Sequence, residues 1–522
     1  MATTTADAAL RDLGGRARRP LGALATAAVL AVLSLVVTTH LPAPSIVSVA
    51  AVMVVLGATT VMLFSERYEW SLVVLMLYLG LADGYLKLST DSQPVTLVRD
   101  LLLYAIVIGA LVRAIVNRRA VKWPPLSGWV LAWAVVVVVQ IANPHNGTLL
   151  HSVASVRPHL EFVPLFFLAY LVMQSKARLR GFLALLLVLA LVNGIVGLIQ
   201  LNLSPSQLSA WGPGYAKALD GESTVSQRSF LDSEGEEKNR PFALGGDVGF
   251  GGSIGVLAVP AALALLSLPT TGWRRVIYAV LGCGVGVAII TSEARVDVLA
   301  GIIAVIAFAG LTATGRAGGK TLIGIGVGVT LAVTVLSFVI ANTQPGSFSR
   351  YESISNPQKA LVTAYNYRGS VIAEVPKYAV KIPFGAGFGS RGPAGSFEGG
   401  QQNEFNGESE PTYLEIEVGL PGLIVLTGFN LALFFISLTR IRCVPDRETR
   451  ILLAAIAAPL FALFAGWFAG VATATSPGSP YLWFAAGVLS YWLLGGGSRA
   501  AAAVKTAATK AKPPRETRWA AA

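Results

Sequence analysis

Between two apolar runs lies the septet Thr291-Ser292-Glu293-Ala294-Arg295-Val296-Asp297, a turn too short to carry its charges far into water. Charges at membrane depth cost several kcal/mol and tend to be functional. A guanidinium at such a mouth is a planar fork that suits phosphate oxygens, which makes Arg295 a candidate anion ligand. The plainer alternative is an Arg295–Asp297 or Arg295–Glu293 pair that anchors the helix end. Arg157 and Glu161 stand four apart, on one helical face. They read as an internal pair more readily than as the lining of a groove, and Arg99 with Asp100 carries the same ambiguity. Further on, the charges sort by sign. Arg350, Lys359, Arg368, Lys377, Lys381 and Arg391 come first, then Glu398, Glu404, Glu408, Glu410, Glu415 and Glu417. A glycine-rich turn, Pro383-Phe384-Gly385-Ala386-Gly387-Phe388-Gly389, lies between them, after a helix expected over 368–382 and interrupted at Pro376. For most of these side chains a solvated surface is the simple reading. The four histidines (His40, His145, His151, His159) all fall in the first third, and Cys283 and Cys443 offer no zinc spacing. His145 and His151 read as solvent-facing.

The elements that must position these residues follow from composition. The chain has 522 residues, 54% apolar and 13% charged, with a mean hydropathy of +0.64. A soluble domain carries about 25% charged residues, so a cytosolic enzyme, a disordered chain and a coiled coil are excluded. The expected class is all-α, a polytopic transmembrane bundle of about fourteen helices with two long extracytoplasmic loops, because crossing the hydrocarbon takes roughly 20 apolar residues. The qualifying segments are 21–39, 45–64, 70–86, 98–117, 126–142, 157–175, 181–201, 248–270, 276–292, 296–315, 321–343, 418–439, 451–471 and 481–498. The net charge is +12, and most basic residues fall in alternate turns, which places both termini in the cytoplasm.

This reading divides the chain into seven parts. A basic cytoplasmic N-tail (1–20) precedes the N-terminal transmembrane helices (21–201) and an extracytoplasmic loop (202–247). Central transmembrane helices (248–343) lead to a large extracytoplasmic loop (344–417) and the C-terminal transmembrane helices (418–498). A disordered basic tail (499–522) ends the chain in the cytoplasm, where it can sit on anionic lipid.

Five stretches, taken in order, resemble the O-antigen ligase / O-antigen polymerase superfamily of bacterial membrane glycosyltransferases. They are the apolar helix ending in Gln200; Arg240-Pro241-Phe242-Ala243-Leu244-Gly245-Gly246 before a helix of small residues; and Ser292-Glu293-Ala294-Arg295. The fourth is Arg368 followed by Pro383 to Gly389. The last is Tyr413-Leu414-Glu415-Ile416-Glu417-Val418-Gly419-Leu420-Pro421-Gly422. The resemblance covers roughly 98–440 and departs from the family at one point. Ligases of this family carry a His shortly before the Tyr-Leu, whereas this chain has no His after His159, and Glu408 or Glu410 occupies that stretch.

The resemblance implies a polyprenyl-diphosphate-linked glycan donor, a glycan or lipid-linked acceptor, and polysaccharide synthesis on the outer face of the cytoplasmic membrane of a bacterium. It implies no metal and no cofactor; membrane lipids and a chain-length regulator are the expected partners, and nucleic acid is not. Cationic forks would stabilise the departing diphosphate. Arg295 is the first candidate, with Arg240 and Arg368 behind it, and Arg157 and Arg391 as further substrate contacts. Glu408 and Glu410 are candidates to take the acceptor's proton, with inversion at the anomeric carbon. Trp211, Tyr351, Tyr365 and Tyr367 are candidates to stack on sugar rings. The rivals are a lipid-linked oligosaccharide flippase, disfavoured by the two long loops and the lack of a sequence repeat, and a membrane-embedded peptidoglycan polymerase.

Overall fold

The computed structural model describes residues 46–91, 93–117, 123–146, 148–219, 229–231, 237–313, 369, 371–390, 405 and 407–496. The expected spans 21–39 and 321–343, both tails, and the candidates Arg368, Arg391, Tyr351, Tyr365 and Tyr367 lie outside the described residues. The described chain is helical apart from one short hairpin. Its elements are α1 (Ile46–Phe64), α2 (Tyr68–Thr90, with a π-turn at Tyr78–Ala82), α3 (Gln93–Val116), α4 (Ser127–Val139), α5 (Leu149–Leu160) and α6 (Pro164–Val172). Next come α7 (Lys176–Leu201), α8 (Pro205–Ser209), α9 (Pro213–Leu219), the hairpin β1 (Ser229–Leu231) and β2 (Glu237–Asn239), α10 (Phe250–Ser267), α11 (Gly272–Thr291) and α12 (Arg295–Thr312). A helix over 371–381, α13, runs through Pro376 without interruption. The chain closes with α14 (Glu410–Arg440), α15 (Arg447–Gly466) and α16 (Gly478–Leu489).

Seven helices among the described residues are long and apolar enough to cross a membrane: α2, α7, α10, α11, α12, α14 with its 3-10 extension to Cys443, and α15. The segments Met53–Phe64 and Ser127–Ala142 are apolar but shorter. The contacts divide the described chain into two compact units. In the smaller, drawn from 1–76 and 92–121, α1 packs on α3. There Arg113 donates from Nη1 to the Leu63 carbonyl at 3.0 Å and from Nε to the Tyr68 hydroxyl at 2.7 Å, which returns a helix-borne charge to the protein.

The larger unit is built round α10, whose most apolar stretch is 83% buried. A helix apolar on every side belongs at the centre of a bundle, and α7, α11, α12 and α15 all pack on it. Small residues permit that closeness. A Cβ at Gly255 would lie 2.7 Å from Ile289 Cγ1, and one at Gly197 of α7 would lie 2.7 Å from Thr291 Oγ1.

Three features depart from the expected spans. Segment 157–175 is two helices, because Pro158 weakens the end of α5 and Pro164 opens α6 at a position where proline is favoured. Helix α14 starts at Glu410 rather than 418. Ser409 caps it through a reciprocal capping box with Thr412, and Gly419 breaks it at φ 71°. The expected loop 202–247 holds α8, α9 and the hairpin, and Leu208, Tyr215 and Phe242 form a small core with Leu88 of α2.

Candidate functional site

Two polar clusters form where helices end. The first is held from below by α7. Gln200 clasps Ala243 in both directions, Nε2 donating to the Ala243 carbonyl at 3.0 Å while the Ala243 amide donates to Oε1 at 2.8 Å. Two turns earlier on the same face, Asn193 accepts from the Leu244 amide at 3.1 Å and donates to the Gly80 carbonyl at 2.9 Å. These two amide side chains hold Ala243 at φ 52° and so fix the segment Arg240 to Gly246. Gly249, at φ 81°, then opens α10.

Against this segment lies the turn between α11 and α12. Ser292 donates to the Ile289 carbonyl at 2.7 Å, Glu293 is buried at φ 52°, and Ala294 leads into α12. Arg295, the first residue of α12, is half-buried, and Asp297 is buried one position into the same turn. An acid in the first turn of a helix is favoured by the peptide dipoles. Ser253 of α10 faces Asp297 Oδ1 at 3.4 Å. Asp297 Oδ2 makes no hydrogen bond and lies over Gly252, where a Cβ would collide with it and with Ser292 Oγ. The cation that acts electrostatically on Asp297 is Arg240, half-buried on the clasped segment. The fold therefore brings Arg240, 55 residues before Arg295 in sequence, to act on the buried carboxylate that lies two residues after Arg295.

The second cluster joins α4, the α5–α6 break, the glycine-rich turn and the start of α14. Gln140 donates to the carbonyls of Phe384 at 2.8 Å and Val418 at 2.9 Å, and Asn143 also reaches the Phe384 carbonyl at 2.9 Å. Asn146 accepts from the Phe388 amide at 2.7 Å. Backbone pairs from Ala386 to Ile416 and from Leu420 to Pro383 zip the turn onto the Gly419 kink. Here glycine is required. Gly385, Gly387, Gly389 and Gly419 all have positive φ, and a Cβ at Gly419 would lie 2.8 Å from the Pro383 carbonyl.

Inside this frame His159 is buried. Its Nε2 lies 3.8 Å from Glu417 Oε2, its ring stacks on Tyr413 with centroids 5.8 Å apart, and Phe388 and Trp133 pack round it. Glu417 Oε2 also accepts from the Gly389 amide at 2.9 Å. A narrow cavity borders His159, lined by Trp133, Leu426, Thr473 and Trp483. Sequence reasoning missed this pair. Glu417 was read as one of a solvated acidic run, and no local pattern signals a partner 258 residues away.

Of the other candidates, Arg157 and Glu161 meet at 3.2 Å, and Arg99 lies 3.7 Å from Asp100. Glu408 is exposed. Glu410 is fully buried, and its carboxylate accepts from the Ala472 amide at 2.5 Å, the Thr473 amide at 2.9 Å and the Thr473 hydroxyl. This arrangement staples α14 to the segment before α16. Glu415 is fully buried, with neither oxygen hydrogen-bonded. Trp211 packs edge-on against Tyr215 in the small core rather than standing free. His145 is exposed, whereas the side chain of His151 lies outside the described residues. No group of three or more His, Cys, Asp or Glu able to hold a metal occurs among the described residues. No protein-family model matches the chain, and no curated protein sequence matches it.

Proposed function

We propose that the chain is a membrane glycosyltransferase that transfers or polymerises polyprenyl-diphosphate-linked glycans, with Arg295 and Arg240 receiving the diphosphate. The observation that carries this reading is that Arg240 acts on Asp297, a buried carboxylate in the first turn of the helix that Arg295 opens. The donor's leaving group gains negative charge as the glycosidic bond breaks. Two planar cations fixed before the reaction, in a partly dehydrated mouth, stabilise that charge without reorganising. Glu408, exposed near the start of α14, is the carboxylate left to take the acceptor's proton once Glu410 is assigned to the staple.

The contacts support the alternation of helix ends in this reading, in which fourteen spans leave both termini in the cytoplasm of a bacterium. Lys176 pairs with Asp446 at 2.7 Å, Arg180 with Glu448 at 3.1 Å, and Arg442 donates to the Gly310 carbonyl at 2.7 Å, all between ends assigned to the inside. The pairs Gln140–Phe384, Gln200–Ala243 and Glu410–Thr473 join ends assigned to the outside. In these contacts no inner end meets an outer one.

The test uses purified protein in vesicles with a polyprenyl-diphosphate glycan supplied on one side. Polymer or conjugate should form with wild-type protein. Arg295→Ala should lower the rate by about 10²–10³ at matched protein level, as loss of a preorganised donor does, and Arg295→Lys should recover only part. Movement of the donor across the vesicle without a new glycosidic bond would establish the flippase instead.

A further inference from the structure

The glycine-rich turn and the helix before it carry a surface that the proposed reaction does not use. Val380 is 84% exposed and Phe384 is 71% exposed, four residues apart at the end of α13 and the start of the turn. Both are large and apolar, and neither is loose. The Phe384 carbonyl is fixed by Gln140 and Asn143, and the Leu420 amide holds the Pro383 carbonyl at 2.9 Å. With its backbone tied on the inner side, the Phe384 ring is held outward by construction.

The backbone that carries this ring is tied to the end of α4, which has an exposed apolar face of its own. Leu131, Val135, Val138 and Val139 recur at helical spacing and are each more than half exposed. Such a stripe, on a helix apolar throughout, is the surface that faces acyl chains. It ends at Gln140, the residue that bonds to the Phe384 carbonyl. The exposed stripe of α4 and the exposed ring of Phe384 are therefore tied to each other through the backbone of the turn. On α13, just before the turn, Lys381 and Lys377 are exposed; Lys381 lies 5.1 Å over the Phe405 ring, and Lys377 meets Glu374 at 3.6 Å. Aliphatic stripe, aromatic ring and ammonium groups are the three surfaces that suit the hydrocarbon, interface and phosphate of a lipid leaflet.

We propose that Val380 and Phe384 form an interfacial wedge that enters the lipid leaflet at this end of the bundle, with Lys381 and Lys377 against anionic lipid phosphates. The wedge seats the glycine-rich turn on the membrane and so fixes the height at which the second cluster stands above the hydrocarbon. A surface of this kind gains affinity from buried apolar area and from headgroup charge together. The occupant is lipid, and this assignment is independent of the glycosyltransferase reading.

The experiment places a fluorophore at each position of the full chain. Phe384→Cys and Val380→Cys are made in a background of Cys283→Ser and Cys443→Ser, labelled with an environment-sensitive dye, and reconstituted in nanodiscs of phosphatidylglycerol or of phosphatidylcholine. Emission at both positions should shift to the blue and be quenched by lipids spin-labelled near the headgroup. It should resist aqueous iodide, and the shift should be larger in phosphatidylglycerol. Changing Lys377 and Lys381 together to Glu should reduce the shift in phosphatidylglycerol. Labels that iodide quenches and lipid spins do not would overturn the wedge. So would labels shielded from both quenchers, which would mean that protein or glycan covers this surface.

Discussion

Glu410 illustrates how a charged residue is consumed by architecture. Its two oxygens serve two backbone amides and a hydroxyl from Ala472 and Thr473, all in a buried setting. Removing the carboxylate strands these donors at about 1–3 kcal/mol each. Glu410→Ala should therefore lower the thermal midpoint of the purified protein markedly, while Glu410→Gln, which keeps one acceptor, should lower it less. A residue that acted only on an acceptor's proton would lose turnover without that thermal loss, so melting curves of the two variants decide between the roles. Asp297 contrasts with it, holding one oxygen near Ser253 and the other against Gly252 with no donor. Gly252→Ala should displace the start of α12 at a cost of about 1–3 kcal/mol, the usual penalty of overpacking. If transfer requires Arg295 in place, that variant should lose activity well below its melting temperature.

At the scale of elements, the runs 181–201, 248–270, 276–292, 296–315 and 451–471 correspond closely to α7, α10, α11, α12 and α15. They were legible because an apolar run of that length has no other stable form in lipid. The turn at Arg295 was legible too, since charge between two such runs must sit at their ends. What the sequence hid is burial by distant partners. Glu410, Glu415 and Glu417 look like a solvated acidic stretch, yet α14 carries all three into the interior. The reasons are Ser409, which starts the helix early, and the donors of Ala472 and Gly389. A hydropathy window cannot see donors 60 residues away. The opposite end of the helices yields a pH prediction. Burial raises the Asp446 carboxyl, but hydrogen bonds from Lys176 and from Thr449, with the Lys176 charge, outweigh it and hold the group at about 2 rather than 3.8. A depressed carboxylate contributes stability that is complete above its unfolded value and fades as pH falls through the folded one. Denaturation curves between those values should thus become less pH-dependent in Asp446→Asn. The effect should be small, because the pair is half in water and screened.

For the molecule as a whole, the expected topology makes a simple demand. A reporter active only when exported, inserted after Pro383, should be active, and one fused after Arg442 should not. A silent reporter at Pro383, with an active one after Arg442, would invert the sidedness on which the donor site rests. On the proposed reading, transfer by the purified protein should also survive EDTA; activity lost and then restored by Mg²⁺ would assign the diphosphate to a metal rather than to Arg295 and Arg240.

At several helix breaks and ends among the described residues, a side chain from another helix reaches a nearby carbonyl. Trp133 donates to His159 at 3.1 Å, Trp492 to Met173 at 2.7 Å, and Asn193 to Gly80 at the π-turn at 2.9 Å. Gln140 does the same for Val418 beside the Gly419 kink, and Tyr481 for Ile456 near Pro459. In hydrocarbon such a carbonyl has no water to turn to. The consequence is historical as much as mechanical. A proline or glycine that breaks a helix is tolerable only after its remote donor exists, and the donor cannot be lost while the break remains. Donor and break should therefore be inherited as pairs. Trp133 with Pro158 and Pro164, and Gln140 with Gly419, should be found to vary together across descendants of the same ancestor, however far their surfaces have diverged.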